Sequence, residues 1–414
     1  MGRDYQWDPS RSRDRHLMPG GPKRILALDG GGIRGLLTCG ILRHIEDTLR
    51  ERIAPGPERD AFVLADYYDF IGGTSTGSIV AAWLALGKPV KELQDLYMTM
   101  GSEIFSNPRV LPQIFVSRFD ARKLDEQLGV HLEDRTLDST DLKTGLGVTA
   151  KRMDSGSAWI LTNNPRARFW ERSEENNRPN KDYVLRNVVR ASAAAPAYFD
   201  HVDVQIEEGA EPGAFMDGAV AGLNNPSVAF WLYTTIPGYG LNWNVGAENL
   251  LITSVGTGQF RQRFSSRKLG RMVAVQQAVF SLAGSIQDVG NNQLMIMQAL
   301  SKPRHPYPMN ADVDSLANPW DLERGFAAPY CITPEPLFEF QRYDASLDSE
   351  GLERLGIYEE GEPLGPGKIS KLQKMDCAEN KNLHRLKRIG ERAGDLYVKP
   401  EHFPRRFDTP GMVY

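Results

Sequence analysis

A serine between two glycines is the clearest chemical signal in the sequence. It lies in Gly73-Thr74-Ser75-Thr76-Gly77, a G-x-S-x-G pattern between an apolar, strand-like run and a helical one. A strand that turns sharply into a helix needs small residues beside the turn and leaves the serine hydroxyl exposed at the helix N-terminus. Unpaired amides of the first helical turn stabilise negative charge there. The pattern predicts a nucleophile; the alternative is a glycine-rich turn that only starts a helix.

A serine nucleophile needs a base, and the sequence offers two kinds. His201 and His305 lie in predicted loops after the serine, but no histidine stands in a recognisable motif. The other candidate is a carboxylate, because Asp217 follows a short apolar run and precedes Gly218, which allows close approach of the backbone. Asp-Gly is also a common turn pair, so this segment alone does not distinguish a base from a turn.

A second glycine-rich loop lies closer to the N-terminus. Gly30, Gly32 and Gly35 follow an apolar run at the spacing of a dinucleotide-binding turn. Such a site expects an acidic residue at the end of a second strand about 20 positions further on. The segment there is charged and interrupted by Pro55 and Pro57, which disfavours a dinucleotide site. A P-loop is excluded because no Gly-Lys-Ser/Thr follows the glycines.

Composition and charge are typical of a globular protein. A net charge of −4 argues against bulk binding of a nucleic-acid polymer. The cysteines, Cys39, Cys331 and Cys377, are far apart and form neither a zinc pattern nor a disulfide framework, which favours a reducing, cytoplasmic compartment.

No apolar run is long enough to span a bilayer and no secretory signal is recognisable, so we expect a soluble protein. No metal or organic cofactor is predicted, because His/Cys clusters, H-E-x-x-H and calcium loops are missing from the sequence.

The order of predicted elements indicates how the chain is organised. Helical and strand-like runs alternate from Lys23 to about Gly258, which predicts an α/β architecture. Residues 1–21 are polar and are predicted to form a flexible arm. We expect a main domain over residues 22–300 and a C-terminal extension over 301–414 that packs on it.

Four motifs in one order resemble the patatin-like phospholipase family. The family carries D-G-G-G-x-R-G, then G-x-S-x-G, then a segment of the form A-S-x-A-A-P-x-Y-F, and then D-G-[GA]. The corresponding segments here are Asp29–Gly35, Gly73–Gly77, Ala191–Phe199 and Asp217–Ala219. The resemblance implies a three-layer α/β fold in which helices flank a mostly parallel central sheet, with residues 22–300 as its catalytic domain.

The resemblance also implies a Ser–Asp dyad, with Ser75 as nucleophile and Asp217 as the base that takes its proton. A carboxylate needs a raised pKa for this work, so we expect Asp217 to lie in a partly desolvated pocket.

An oxyanion hole is implied by the same comparison. Its donors would be the backbone N–H groups of Gly30, Gly31 and Gly32, and Arg34 would steady the loop or add positive potential. The other motif glycines would permit close backbone packing at the turns: Gly35, Gly73, Gly77 and Gly218.

In function, the resemblance implies a serine-dependent carboxylic ester hydrolase (EC 3.1.1) of phospholipase A or lysophospholipase type. Its substrate would be a phospholipid or another acyl lipid, which the protein would reach by binding peripherally to a membrane surface. One alternative is a bacterial-type, nucleotide-activated effector that degrades membranes in antiphage defence. Such an effector would bind a small-molecule activator and form a homo-oligomer. The other is a lipid-binding protein without catalytic activity.

Some further residues have structural interpretations. Ser192 is predicted to pack beneath the site rather than act as a second nucleophile, and Asn224 and Asn225 to cap the next helix. The apolar Ile104–Phe119 region and the helix around Met295 and Met297 are candidates for lipid contact, with core packing as the commoner explanation.

Overall fold

A central sheet organises the protein. The computed structural model describes residues 5–54, 56–104, 121–173, 176–196, 198–260, 270, 272–305 and 331–408. Within these residues the sheet comprises β1 Lys23–Leu28, β2 Phe70–Thr74, β3 Gly145–Arg152, β4 Ser157–Thr162, β5 Val202–Val204, β6 Gly213–Asp217, β7 Leu250–Val255, β8 Lys302–His305 and β9 Glu339–Tyr343. A small separate hairpin joins β10 Tyr358–Glu359 to β11 Glu362–Pro363.

The strand order is β5-β6-β3-β2-β1-β7-β9-β8, and β4 pairs with β3 as well. Strands β3, β2, β1, β7, β9 and β8 run parallel to their neighbours, whereas β4 and β6 pair with β3 in the antiparallel sense. Every residue of β1, β2 and β7 is buried, as expected for parallel strands that are covered on both faces. The predicted α/β fold with a mostly parallel, helix-flanked sheet is confirmed.

Helices cover both faces of the sheet. The described α-helices are α1 Ser12–Leu17, α2 Gly35–Ile53, α3 Thr76–Ala85, α4 Val90–Ile104, α5 Arg122–Leu132, α6 Leu185–Ser192, α7 Ser227–Thr235, α8 Ala274–Ala299, α9 Ser349–Arg354, α10 Pro366–Gln373 and α11 Asn380–Tyr397. Alternate residues of β1 enter different cores: Leu26 and Leu28 join the core that contains α2 and α3, whereas Ile25 and Ala27 join the core that contains α7. This alternation is the period of two of a strand between two helical layers.

The segment before the sheet is folded, which corrects the expected flexible arm for residues 5–21. Helix α1 lies in this segment, and Arg13, His16 and Leu17 are buried. The Arg13 guanidinium pairs with Asp14 at 2.8 Å, and His16 Nδ1 lies 3.0 Å from a carboxylate oxygen of Asp69. Arg13 also pairs with Asp138 at 2.9 Å, so Arg13 and His16 connect the segment to the body of the protein through buried polar contacts.

The C-terminal region is continuous with the main domain. Strand β9 pairs in parallel with β7, so residues beyond 300 complete the central sheet. Helix α11 packs on α2 at two glycines: a Cβ on Gly390 would lie 2.2 Å from the Leu37 carbonyl oxygen, and one on Gly40 would lie 2.7 Å from Gly390 Cα. Because the two backbones touch there, only glycine fits.

We expect Gly390→Ala to destabilise the protein by about 1–3 kcal/mol through overpacking at this crossing. Gly129→Ala is the matched control, because Gly129 also lies inside a helix but a Cβ there meets nothing within 4 Å. Helix propensity alone should make this control neutral or slightly stabilising. Thermal unfolding compares the two; equal melting temperatures would contradict the close crossing.

Candidate active site

Ser75 stands at a strained turn between β2 and α3. Its backbone has φ 55° and ψ −125°, a region that residues other than glycine seldom occupy. A Cβ on Gly73 would lie 2.2 Å from the Gly77 backbone, and one on Gly77 would lie 2.4 Å from the Leu28 carbonyl oxygen. Both glycines of the pattern are therefore required by close backbone packing, as the sequence predicts for a sharp strand–helix turn, whereas Ser75 itself is 9% exposed and faces the cavity rather than open solvent.

Two other serines hold this turn in place. The Ser75 N–H donates to Ser192 Oγ at 2.8 Å, and Ser78 Oγ donates to the Ser75 carbonyl oxygen at 2.6 Å. Ser192 is fully buried at the end of α6. It therefore positions the turn and has no exposed hydroxyl to offer a substrate.

Strand β3 brings Asp217 to the same place. Along one edge of β3, Thr149 pairs with Thr74 of β2, and the next residue, Ala150, pairs with Asp217 of β6. Strand β4 occupies the other edge of β3 over the same residues. Because β2 ends opposite Thr149 and β6 ends opposite Ala150, Ser75 directly follows one ladder position and Asp217 occupies the next.

The Asp217 carboxyl is buried, and burial raises its pKa from 3.8 to about 6. Hydrogen bonds from the Ala219 N–H, at 2.9 Å, and from the Ser75 hydroxyl favour the carboxylate and oppose that rise. At neutral pH this leaves an ionised carboxylate that is more basic than an exposed aspartate and interacts with the Ser75 hydroxyl.

The histidines considered as bases lie elsewhere. His201 is more than half exposed and lies 3.5 Å from Asp203. His305 stacks on Tyr343 and His402, and burial lowers its pKa to about 4. Neither residue lines the cavity that contains Ser75. Of the three candidate bases, only Asp217 lines the same cavity as Ser75.

The glycine loop lies beside Ser75 and corrects one detail of the expected oxyanion hole. The Gly30 N–H donates to the Asn224 carbonyl oxygen at 3.1 Å, so it is not available to a substrate. The N–H groups of Gly31 and Gly32 have no protein acceptor among the described residues. A Cβ on Gly31 would lie 2.1 Å from Thr257 Oγ1, and one on Gly32, where φ is 59°, would lie 2.4 Å from a backbone oxygen.

Arg34 supports the loop from behind. Its Nε donates to the Gly31 carbonyl oxygen at 3.4 Å, Nη1 donates to the Gly258 carbonyl oxygen at 3.3 Å, and the guanidinium lies over the Phe260 ring. Because a peptide C=O and the following N–H point in opposite directions, a bond to the Gly31 oxygen directs the Gly32 N–H away from Arg34. These contacts agree with a residue that steadies the loop.

A buried ionic network anchors the start of the loop, and the sequence analysis missed it. Arg342 of β9 binds Asp29 through two bonds of 2.9 and 2.6 Å, and its Nη2 also donates to Asp344 at 2.7 Å. Asp344 in turn accepts the Gly258 N–H at 2.7 Å. The only sequence signal for this network is the pair of opposite charges, Arg342 and Asp344, at the end of a segment in which apolar and polar residues alternate.

The elements around the loop also place the two asparagines. Asn225 Oδ1 accepts the Ser227 N–H at 3.0 Å in a turn that leads into α7, whose N-cap residue is Pro226 rather than either predicted asparagine. Asn224 instead holds Gly30 through its backbone carbonyl. The two residues therefore connect the glycine loop to the helix that follows Asp217.

These groups share one cavity of about 790 Å³, lined by Ser75, Asp217, the glycine loop and many apolar side chains. Ile104 lines it, whereas residues 105–119 of the expected lipid-contact region lie outside the described residues. Of the two methionines considered, Met297 is fully buried and Met295 is partly exposed. Among the described residues, no cluster of His, Cys, Asp or Glu could hold a metal ion.

Comparisons with known proteins place part of the chain beside one family. Residues 26–231 match the family model of patatin-like phospholipases. Patatin-17 of Solanum cardiophyllum is 29% identical over 276 residues, which are 61% of this chain and 65% of Patatin-17. Patatin-2-Kuras 3 of Solanum tuberosum is 28% identical over 294 residues, 64% of this chain and 70% of that protein. The chain thus spans about two thirds of the length of these patatins.

Among solved structures, VipD from Legionella pneumophila aligns with 63% of this chain and 53% of its own, at 13% identity and a TM-score of 0.30. That score is too low to establish a common fold. The patatin-like match covers Ser75, Asp217 and the glycine loop, whereas Arg342 and Asp344 lie beyond its end.

We expect Arg342→Met to cost about 3–5 kcal/mol of stability, because it leaves two buried carboxylates without their partner. Arg354→Met is the matched control, since Arg354 pairs with Glu350 on the surface and should contribute at most about 1 kcal/mol. Thermal unfolding measures both variants. Similar small losses for the two arginines would show that the buried network does not anchor the loop.

We expect Asp217→Asn to stabilise the folded protein at pH 8. The folded state binds the Asp217 proton more tightly than the unfolded chain, so ionising this carboxyl costs the fold up to about 3 kcal/mol. That cost develops as the pH rises from the unfolded pKa, 3.8, to the folded value of about 6, and it persists above. The melting temperature of the variant should exceed that of wild type at pH 8, and the difference should shrink at pH 4.

Asp134→Asn controls for the change in net charge, because Asp134 is 83% exposed. It should have little effect at either pH. If Asp217→Asn were less stable than wild type at pH 8, the buried carboxylate would be a stabilising group and its raised pKa would be refuted.

Proposed function

We propose that this protein is a lipid acyl hydrolase that cleaves carboxylic esters through a Ser75–Asp217 dyad. One observation carries the proposal: a serine on a strained strand–helix turn lines the same largely apolar cavity as a buried carboxylate that interacts with its hydroxyl. The patatin-like match over residues 26–231 supports lipid acyl hydrolysis in general.

In the proposed first half-reaction, Ser75 Oγ attacks the ester carbonyl carbon while Asp217 accepts the hydroxyl proton. The carbonyl oxygen becomes an oxyanion, which the N–H groups of Gly31 and Gly32 would bind. Such donors act because they already point to where the charge develops, and each can lower the barrier by about 3 kcal/mol. Collapse of the intermediate breaks the C–O bond, and Asp217 returns the proton to the departing alcohol.

In the second half-reaction a water molecule attacks the acyl-enzyme, and Asp217 takes one of its protons. The oxyanion forms again in the same loop, and its collapse releases the fatty acid and restores the Ser75 hydroxyl with the proton held by Asp217. The raised pKa suits both steps, because a base works best when its pKa lies close to the working pH.

Acyl lipids are the proposed substrates, either phospholipids and lysophospholipids or neutral acyl lipids. The described part of the chain has no helix that is long and apolar enough to cross a membrane. Helix α8 supports peripheral contact instead: it carries one charged residue, Asp288, and its exposed side chains include Val279 and Ile296. Val279 also lines the cavity, so this apolar surface is continuous with the site.

The ligand-activated effector is less well supported. In the described residues Ser75 already contacts Asp217, and the glycine loop is already anchored through Asp29. An activator would have nothing to assemble at this dyad. A small-molecule activator and a homo-oligomer stay predictions of the family resemblance.

Replacing Ser75 by Ala should lower hydrolysis of p-nitrophenyl butanoate by more than about 10³-fold, because the nucleophilic oxygen is lost. Labelling by a fluorophosphonate probe should disappear as well. Ser281→Ala, an exposed serine on α8, is the control and should keep both signals. Ester hydrolysis that survives in pure, folded Ser75→Ala protein would refute the assignment, whereas survival in Asp217→Asn would refute only the base.

A further inference from the structure

The cavity extends away from Ser75 along helix α3. Ser75, Ile79 and Trp83 all line it, and they are spaced four residues apart. In an α-helix this spacing places side chains on one face, with a rise of 1.5 Å per residue. Trp83 therefore lies about 12 Å from the nucleophile along this face. The cavity continues for two helical turns beyond the reacting atoms.

Two further helices close this part of the cavity with apolar stripes. Helix α4 contributes Leu93 and Leu96, and helix α5 contributes Leu124 and Leu128. Each pair has the three- or four-residue spacing of one helix face. None of the side chains that α3, α4 and α5 direct into the cavity is an Asp, Glu, Lys or Arg. A long, uncharged, flexible ligand fits such a channel.

Trp83 is held rigidly at the far end. Its ring nitrogen donates to the Pro89 carbonyl oxygen at 3.1 Å, and its ring centroid lies 5.5 Å from that of His131. The Lys88 ammonium lies 4.4 Å from the indole centroid and also donates to the His131 carbonyl oxygen at 3.1 Å. Burial, together with the nearby Lys88 charge, lowers the pKa of His131 and so favours its neutral form. Beyond the indole the surroundings become cationic, which ends the apolar path.

We propose that the channel between α3, α4 and α5 is the acyl-chain site and that Trp83 is the stop that selects chain length. The proposal rests on the proposed ester hydrolysis and adds its substrate preference. An extended chain of single bonds advances about 1.2 Å per bond, as an extended peptide does. The distance from Ser75 to Trp83 thus accommodates roughly ten bonds, a medium-length acyl group.

A series of p-nitrophenyl esters in mixed micelles tests the site through ratios of kcat/KM for butanoate, decanoate and hexadecanoate. Wild type should prefer decanoate. Trp83→Ala removes the stop and should raise the hexadecanoate-to-decanoate ratio at least tenfold. Ile79→Trp fills the first turn and should lower the decanoate-to-butanoate ratio at least tenfold. Trp243→Ala, a buried tryptophan outside the cavity, is the matched control and should change both ratios less than twofold.

A binding measurement separates this inference from the proposed function. In Ser75→Ala protein, calorimetry with decanoate and hexadecanoate should show that Trp83→Ala shifts preference toward the longer fatty acid. If wild type hydrolyses no ester but this Trp83-dependent preference appears, the acyl site stands and the proposed function fails.

Unchanged ratios in folded Trp83→Ala and Ile79→Trp protein would overturn the acyl site while leaving the Ser75–Asp217 chemistry intact. If Trp83→Ala does not fold, Trp83→Leu, which retains apolar volume but shortens the stop, replaces it with the same direction of shift expected. A shift of equal size in Trp243→Ala would also overturn the proposal, since loss of any buried tryptophan would then suffice.

Discussion

The pairing of strand β3 with two different strands along one edge is the constraint on which the site depends. Thr149 pairs with Thr74 and Ala150 pairs with Asp217, so the end of β2 and the end of β6 meet on a shared ladder. The meeting requires β2 to leave the sheet abruptly, which is what the strained turn at Ser75 achieves. If β2 continued by one residue, it would pair with Ala150 and displace Asp217 of β6, because each ladder position has one partner on a given side.

Burial raises the pKa of two carboxyls of the site, Asp29 and Asp217, to about 6, but the partners of the two groups differ. Asp217 is buried against neutral donors only, so its pKa rises and its ionised form is costly to the fold. Asp29 is buried against Arg342, which satisfies both of its carboxylate oxygens. The proposed mechanism uses Asp217 for proton transfer, whereas Asp29 is fixed as an anchor for the glycine loop. The difference lies in the partner that the tertiary structure supplies rather than in the residue type.

The sequence predicted the fold class and the chemistry of the nucleophile because both follow from local pattern. Short buried runs that alternate with helical ones specify a covered parallel sheet. The glycines beside Ser75 mark a turn in which a side chain at either position would meet backbone within 2.5 Å. Asp217 could be named only as a candidate, because Asp-Gly is an ordinary turn and its meeting with Ser75 depends on β3.

What the tertiary structure alone decided concerns partners that are distant in sequence. Arg342 lies 313 residues from Asp29, and neither its charge nor its neighbours reveal that pairing. The Gly30 N–H is expected to face the substrate but donates to the Asn224 carbonyl oxygen instead. The sequence cannot distinguish Gly30 from the glycines that follow it, because only the folded structure shows which acceptor each N–H reaches. Helix α1 carries polar residues that predict a flexible arm, yet buried contacts from Arg13 to Asp138 and from His16 to Asp69 hold the helix in place. Local sequence determines which conformations a segment can adopt, whereas long-range contacts determine which of its hydrogen-bonding groups remain free for chemistry.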